Sequence, residues 1–256
     1  MSNVNLLHGD CLELIKDIPD KSIDMILADL PFGTTKNHWD SCIDLESLWG
    51  GYKRIIKDNG CIALFAQTPF DKVLGASNLD MLKYEWIWEK SMATGRLNCH
   101  FAPMKAHENI LIFSKSAACY VKDKSKAMVY NPQMTEGKPY KATSGSVSTN
   151  YDTKWARQTT TTNNGTRYPR DVQKFSHDKE KYHPTQKPVA LLEYLIKTYT
   201  NEGDVVLDNC MGSGSTGVAA ANTNRNFIGM ELDETYFQIA KERIGRTVSE
   251  KIESKE

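Results

Sequence analysis

The sequence predicts an α/β fold in which a mostly parallel sheet of seven strands has helices on both faces. Seven short apolar runs have the length and composition of strands, and stretches with helical periodicity lie between several of them. Strands that alternate with helices form largely parallel sheets that are covered on both faces. The predicted strands are, in chain order, "VNLLHGD", "IDMILAD", "CIALFA", "YEWIWEK", "NILIFS", "DVVLDN" and "NFIGMEL".

Three stretches carry the helical pattern, in which apolar residues recur every three or four positions. The first runs from Leu45 to Ile56, the second covers residues 189–199, and the third covers residues 235–244. We expect these helices to cover the sheet.

Composition excludes several classes of protein. The chain has 256 residues, of which 40% are hydrophobic, and this is enough for one large domain with an insertion. No stretch approaches the ~20 apolar residues that a membrane span requires, and the start "MSNVNLLHGD" lacks the pattern of a signal peptide. The six cysteines show no CxxC spacing, so we expect no metal site and no disulfides. We expect a soluble, cytoplasmic protein that contacts no membrane.

The formal net charge of zero conceals a strong asymmetry. Residues 115–187 contain 14 Lys and Arg against 6 Asp and Glu, a net charge of +8, so the rest of the chain carries −8. One basic region on an otherwise acidic chain is typical of a protein that binds a polyanion with a single lobe. The alternative is a solvated insertion whose charge has no function.

Residues 116–182 interrupt the alternation of strands and helices. This segment is polar and rich in Thr, Asn, Gly and Lys, so we predict a partly mobile insertion that separates residues 1–115 from residues 183–256. Aromatic residues are interleaved with its basic residues, a combination that suits phosphates and unstacked bases. The candidate nucleic-acid-binding side chains are Lys154, Arg157, Arg167, Arg170 and Lys174.

The stretch "DVVLDNCMGSGSTGVAA" indicates a strand that ends in Asp208, followed by a glycine-rich loop that opens a helix. Its glycines fit the pattern GxGxxG, and Glu231 ends the next predicted strand, as in sites that bind NAD. Only about 40 residues follow the loop, too few for the second half of a dinucleotide-binding fold. Asp208 would also repel a pyrophosphate, whereas it could hold an amino group. These features favour a ligand with one adenosine and a cationic amino acid end.

Five motifs resemble those of the DNA methyltransferases that methylate exocyclic amino groups with S-adenosylmethionine. "DLPF" at 29–32 is similar to the catalytic tetrad (D/N/S)PP(Y/F), and "DNCMGSGS" at 208–215 is similar to the cofactor loop. "HPTQKP" at 183–188 matches a third motif, and "HGDCLEL" at 8–14 and "GMELDETYFQIAKERI" at 229–244 match two others. Their order is that of the permuted group called beta, in which the basic insertion recognises the target. The resemblance therefore implies a Rossmann-like methyltransferase sheet.

The resemblance also implies a catalytic group of Asp29, Pro31 and Phe32. The target base is flipped out of double-stranded DNA, and Phe32 would stack on it. The Asp29 carboxylate and the backbone carbonyls beside Pro31 would accept hydrogen bonds from the amine, which then attacks the methyl group directly in line.

The cofactor contacts that the resemblance implies come from several motifs. The glycine loop would hold the amino acid end, Glu231 the ribose hydroxyls, and Asp10 with Cys11 the adenine. The complete set is Asp10, Cys11, Asp29, Thr185, Lys187, Asp208, Cys210, Gly212, Ser213, Gly214, Ser215, Thr216 and Glu231.

Asp at the first tetrad position goes with adenine N6 in this family, so N6-adenine is the leading target and cytosine N4 the alternative. An NAD-dependent oxidoreductase and a catalytically silent DNA-binding module are two further hypotheses. Relatives often form dimers, so whether this protein forms a homodimer is left open.

Three residues depart from the family pattern. Leu30 replaces the first proline of the tetrad, and Asn209 and Cys210 replace a proline and a phenylalanine of the cofactor loop. "DLPF" followed by "GTTKNHWD" is similar to phage and prophage enzymes, which act in the cytoplasm of a bacterial host.

Overall fold

A computed structural model of the protein describes residues 3–31, 43–143 and 160–253. The chain divides into a large unit, Met1–Asn131 with Asp171–Glu256, and a small unit, Pro132–Arg170. The small unit lies within the segment 116–182 that the sequence predicts to be an insertion.

The large unit is built on one sheet with helices. Its strands are β1 (Val4–His8), β2 (Ile23–Ala28), β3 (Ile56–Ala66), β4 (Leu82–Thr94) and β5 (Lys105–Phe113), and later in the chain β10 (Val172–Phe175), β11 (Val205–Asp208) and β12 (Asn226–Glu231). Its α-helices are α1 (Cys11–Leu14), α2 (Leu45–Ile55), α3 (Phe70–Ala76), α4 (Val189–Tyr199), α5 (Ser215–Asn222) and α6 (Glu234–Glu253).

The strand order is β1-β12-β11-β2-β3-β5-β4-β10. All pairings are parallel except those of β5, which runs antiparallel to both β3 and β4. β11 and β2 are neighbours at the centre of the sheet. The chain continues from β11 to β12 toward one edge of the sheet, and from β2 to β3 toward the opposite edge. Such a reversal opens a crevice at the carboxyl ends of the two central strands.

The strand side chains alternate between two apolar layers. Met25 and Leu27 of β2 pack in the layer that contains α4, α5 and α6, whereas Ile26 and Ala28 pack in the layer that contains α2 and α3. This alternation follows from the two-residue period of a strand, and it buries both faces of the sheet. Helices therefore cover both faces, as predicted.

All seven predicted strands are present in the sheet, but the predicted count of seven is wrong. The eighth strand, β10, extends the sheet beyond β4, with Val172 opposite Ile87 and Phe175 opposite Lys90. Its sequence "VQKF" alternates between exposed and half-buried residues and contains no apolar run, so nothing local separates it from the polar segment around it.

The small unit contains two short antiparallel pairs. β6 (Thr135–Glu136) pairs with β9 (Thr166–Arg167), and β7 (Tyr140–Thr143) pairs with β8 (Thr160–Asn163). Its described residues, 132–143 and 160–170, are all exposed or half-buried, so this part of the unit contributes no buried apolar core.

No helix in the described ranges 3–31, 43–143 and 160–253 is long and apolar enough to cross a membrane.

Candidate active site

The candidate site lies where the carboxyl ends of β2 and β11 adjoin. Asp29 directly follows β2, and Asp208 is the last residue of β11. A cavity of about 780 Å³ opens between them, a size typical of small-molecule sites. The structure brings these predicted residues to the cavity wall: Asp10, Cys11, Asp29, Pro31, Thr185, Lys187, Asp208, Cys210, Gly212, Ser213, Ser215, Thr216 and Glu231.

The glycine loop connects β11 to α5. Gly212 has a φ of +50°, in the left-handed region that favours glycine, and its N–H donates to Glu231 Oε2 at 2.8 Å. Gly214 is different: it does not line the cavity, and a Cβ atom there would lie 2.9 Å from the Cβ of Ala240 on α6. Gly214, the second glycine of the pattern, also has a positive φ of +81° and allows α5 to pack against α6, whereas Gly212 shapes the loop at the cavity.

Asp208 is a buried carboxyl group at the floor of the cavity. It is only 3% exposed, and its Oδ1 accepts a hydrogen bond from the backbone N–H of Cys210 at 3.0 Å. Burial raises the pKa of Asp208 to about 7 and outweighs that hydrogen bond. A cation beside it would restore the ionised form, so this position suits a positively charged ligand group.

Glu231 is the last residue of β12, and Asp10 follows the end of the neighbouring strand β1 by two residues. Glu231 Oε1 accepts from the N–H of Asp233 at 2.9 Å while its Oε2 accepts from Gly212, so the carboxylate is fixed in orientation. Asp10 caps α1 by accepting from the N–H of Leu12 at 2.8 Å. These two acidic groups border the cavity beyond the glycine loop.

The two departures in the cofactor loop have structural partners. Tyr52 of α2 donates a hydrogen bond from its hydroxyl to Asn209 Oδ1, which ties the loop to the buried face of that helix. The thiols of Cys210 and Cys11 interact, and the bond to Cys210 lowers the pKa of Cys11 to about 7 although burial opposes this. Asn209 and Cys210 thus make polar contacts where the family pattern has apolar rings.

Leu30, the departure in the tetrad, is only 3% exposed and packs in the apolar layer with Leu48 and Trp49 of α2. Asp29 and Pro31 on either side of it border the cavity. Phe32 lies outside the described residues.

A buried network of charges surrounds Asp29. The ammonium group of Lys187 lies 2.5 Å from Asp29 Oδ2 and 3.2 Å from Glu108 Oε2. Glu108 Oε1 in turn is 2.5 Å from the Nζ of Lys90 and accepts from Gln67 Nε2 at 2.7 Å. Two carboxylates and two ammonium groups therefore balance one another; Lys90, Glu108 and Lys187 are buried, and Asp29 is half-buried at the cavity wall.

The network sets the ionisation of its members. Burial raises the pKa of Asp29, whereas the charge of Lys187 acts in the opposite direction. Burial would also raise the pKa of Glu108, but Lys187 and Lys90 outweigh it and lower that pKa to about 2. The second oxygen of Asp29, Oδ1, is buried and has no hydrogen-bond partner among the described residues. It is an unpaired acceptor on a residue of the cavity wall.

The motif "HPTQKP" forms a turn that enters α4. His183 Nδ1 lies 3.0 Å from Thr185 Oγ1, and its ring contacts Tyr236 with centroids 4.3 Å apart. Gln186 Oε1 accepts from the N–H of Tyr182 at 2.9 Å, which closes the turn. This geometry directs Lys187 inward to Asp29, although the family resemblance implied a cofactor contact for Lys187.

The predicted nucleic-acid-binding residues fall into three groups. Lys154 and Arg157 lie outside the described residues. Arg167 and Arg170 belong to the small unit, where Arg167 donates to Asn163 Oδ1 at 2.6 Å. Lys174 is exposed on β10, and its Nζ lies 3.0 Å from Glu89 Oε1.

Sequence reasoning missed Glu108, Lys90 and Gln67. Glu108 sits near the amino end of β5, and because β5 is antiparallel this end lies at the same edge as the carboxyl ends of its neighbours. The signal was a pair of polar residues, "EN", immediately before the apolar run "ILIF".

The fold and the site define an α/β protein with a ligand cavity at the reversal point of its sheet. A family model described as DNA methylase, of the N6 and N4 type, matches residues 23–242. The chain belongs to this family.

Three known proteins show the range of the similarity. DNA adenine methyltransferase YhdJ of Escherichia coli (strain K12) is 28% identical over 256 residues, covering 93% of this chain and 82% of the relative. The crystal structure of the M1.HpyAVI–SAM complex is 28% identical with a TM-score of 0.64, covering 94% of this chain and 99% of that one. PvuII DNA methyltransferase, which is cytosine-N4-specific, has a TM-score of 0.67 at 17% identity, covering 97% and 92% of the two chains, and shows the fold alone.

Proposed function

We propose that this protein transfers a methyl group from S-adenosylmethionine to the exocyclic N6 of adenine in double-stranded DNA, as a member of the permuted beta group. The observation that carries the proposal is the shared cavity of Asp29 and Asp208, which close two adjacent strands. "DLPF" precedes "HPTQKP" and the glycine loop in the chain, as in that group.

The cavity residues fit this cofactor. Asp208 would pair with the amino group of the cofactor, since this buried carboxyl has no cationic partner among the described residues. Gly212 allows close approach of the backbone, and the oriented Glu231 carboxylate would accept from ribose hydroxyls. Asp10 and Cys11 would border the adenine. When bound, S-adenosylmethionine supplies an electrophilic methyl group on a sulfonium.

Asp29 would act on the target amine. Its unpartnered Oδ1 would accept a hydrogen bond from the amine, while Lys187 holds Oδ2 and its charge favours the ionised carboxylate. This orients the nitrogen lone pair toward the methyl group, so no covalent intermediate with the protein is needed. Phe32 would stack on the flipped base and stabilise it by about 1–3 kcal/mol.

Adenine is preferred over cytosine for two reasons. The tetrad begins with Asp, and the relative YhdJ, 28% identical, is named an adenine methyltransferase. Cytosine N4 is the second candidate because the family includes both types. The NAD-dependent alternative rests on the glycine loop alone, and membership of the DNA methylase family counts against it.

The test uses tritiated S-adenosylmethionine and DNA of mixed sequence, followed by nucleoside analysis. We expect label in N6-methyladenine, and base mapping in an expression host then identifies the recognition site. Label in N4-methylcytosine would reject adenine. Binding of the cofactor without any label in the DNA would instead support the hypothesis of a catalytically silent DNA-binding module.

Asp29→Ala is the first specific prediction. The variant loses the amine acceptor, so transfer should fall by about 100-fold or more, as when one positioned catalytic hydrogen bond is lost. Binding of S-adenosylhomocysteine, measured by calorimetry, should change little. Equal losses of binding and transfer would show that Asp29 serves the cofactor only.

DNA binding is proposed for the basic residues Lys154, Arg157, Arg167, Arg170 and Lys174. Neutralising Arg170 and Lys174 should weaken binding to all sequences and flatten its salt dependence. Two further statements stay predictions: that the protein forms a homodimer, and that it belongs to the phage-like variety of the family.

A further inference from the structure

The hairpin between β4 and β5 ends in an exposed segment that the proposed catalytic chemistry does not use. We call residues 91–107 the hairpin tip. All residues of the tip from Thr94 to His107 are exposed. At its base, Lys90 and Glu108 belong to the buried network around Asp29. The four residues from 91 to 94 extend the strand by up to about 13 Å, so the tip projects from the rim of the candidate active site.

The tip presents large apolar side chains to solvent. Leu97 is 95% exposed, Phe101 90% and Met92 69%. One exposed apolar residue is ordinary, but several on one short projection mark an interaction site. The surface of the tip is therefore suited to a partner that covers Leu97 and Phe101.

The backbone of the tip is ordered by its own hydrogen bonds. Gly95 adopts a φ of +88° and starts a turn in which the N–H of Asn98 donates to its carbonyl at 3.0 Å. The N–H groups of Phe101 and Ala102 both donate to the carbonyl of Asn98 at 2.9 Å. A preformed turn presents its apolar side chains without a large ordering cost.

The charge of the tip selects the partner. Arg96 and Lys105 flank the apolar residues, His100 and His107 lie beside them, and no Asp or Glu occurs between Glu89 and Glu108. A two-fold contact with a second copy would bring this cationic patch against itself. A polyanion is complementary to it.

We propose that the hairpin tip is a second DNA contact, in which Leu97 and Phe101 enter the base stack beside the flipped nucleotide while Arg96 and Lys105 contact the flanking phosphates. This inference rests on the proposed function. Extrusion of a base leaves an unstacked gap, and apolar wedges are the side chains that proteins insert between base steps. The position of the tip at the rim of the Asp29 site places the wedge close to the base that would leave the stack.

The test compares the double variant Leu97→Ala/Phe101→Ala with the unaltered protein on duplexes that carry the mapped recognition site. One duplex is fully paired, and the other has a mismatch opposite the target base, which lowers the cost of extrusion. We expect transfer to the paired duplex to fall about tenfold or more, since an aromatic contact with a base is lost. On the mismatched duplex the difference should largely disappear.

Leu79→Ala is the matched control. Leu79 is 67% exposed and lies just before the start of β4, at the opposite end of the same strand. It should behave like the unaltered protein on both duplexes. Thermal melting should be unchanged in all variants because the altered side chains are exposed.

The remaining outcomes overturn the inference. Equal activity of the double variant and the unaltered protein on the paired duplex excludes a wedge. An equal loss of transfer activity on both duplexes also excludes a wedge. If light scattering then gives the double variant a different molar mass from the unaltered protein, the tip is a contact between copies of the chain. If the unaltered protein methylates no DNA at all, the proposed function fails and the inference fails with it, a result distinct from the others.

Discussion

Lys187 and Asp29 illustrate how one residue sets the chemistry of another. A carboxylate that is buried without a counter-ion takes up a proton, and a protonated Asp29 would be a poorer acceptor for an amine. The charge of Lys187 opposes this effect, and Glu108, itself paired with Lys90, holds Lys187 beside Asp29. The "HPTQKP" motif therefore has a role in ionisation that its sequence does not reveal.

Lys187→Met should shift the pH dependence of transfer. Loss of the ammonium raises the pKa of Asp29 further, so the acid limb of the single-turnover rate should move to higher pH, with partial recovery in alkaline buffer. Lys187→Arg keeps the charge and should keep the profile. If Lys187→Met instead lowered the transfer rate by the same factor at every pH, Lys187 would have a structural role alone.

Asp208 predicts a pH dependence of cofactor binding. Its pKa of about 7 is above the usual value, so the carboxyl carries a proton below that pH and must release it to pair with the ligand amino group. The affinity for S-adenosylhomocysteine should fall as the pH drops below about 7, by up to tenfold per unit. Calorimetry in two buffers measures the released proton. Asp208→Asn should bind weakly and without pH dependence, and an unaltered pH dependence in this variant would contradict the assignment.

Among the elements, α5 shows how tightly a helix can be fitted to the sheet and to α6. Gly217 lies on α5 where a Cβ atom would be 2.3 Å from Ile244 Cδ1 and 2.7 Å from the ring of Phe227. The glycine therefore allows contact between three elements rather than a contact with the ligand.

Gly217→Ala should destabilise the protein by about 1–3 kcal/mol, since overpacking forces neighbours to move. Gly50→Ala is the matched control, because Gly50 is exposed on α2 with no atom within 4 Å of the added Cβ. It should be neutral or stabilising by about 0.5–1 kcal/mol. Urea denaturation measures both, and equal stability of the two variants would contradict the packing argument.

β5 is the element on which sequence reasoning was least informative. The run "NILIFS" correctly indicated a buried strand, but an apolar run has no direction. Its antiparallel pairing brings Glu108 to the edge where Asp29 lies. The prediction of a strand was confirmed, whereas its contribution to the site depended on long-range pairing.

At the scale of the whole molecule, ligand binding should raise the stability of the large unit. A ligand that binds only the folded state at 100 times its Kd stabilises by about 2.7 kcal/mol. We expect S-adenosylhomocysteine to raise the melting temperature in a concentration-dependent way and NAD to leave it unchanged. The reverse result would favour the oxidoreductase hypothesis.

The distribution of charge also belongs to this scale. The net charge of +8 over residues 115–187 is a property of the sequence, but its members have different environments. Lys187 is 8% exposed and belongs to the buried network, whereas Lys174 is exposed on β10. Burial thus removes part of the predicted basic surface from contact with a polyanion.

The sequence by itself determined the seven strand segments, the helices α2 and α4, the first half of α6, and the two carboxylates at the ends of β2 and β11. These features depend on periodicity and spacing within contiguous residues, and local patterns record them. Only the tertiary structure decided the direction of β5, the addition of β10 and the network of Asp29, Lys187, Glu108 and Lys90. Pairing direction and the burial of charge arise from contacts between residues far apart in the chain, and these contacts leave no periodic trace in the sequence.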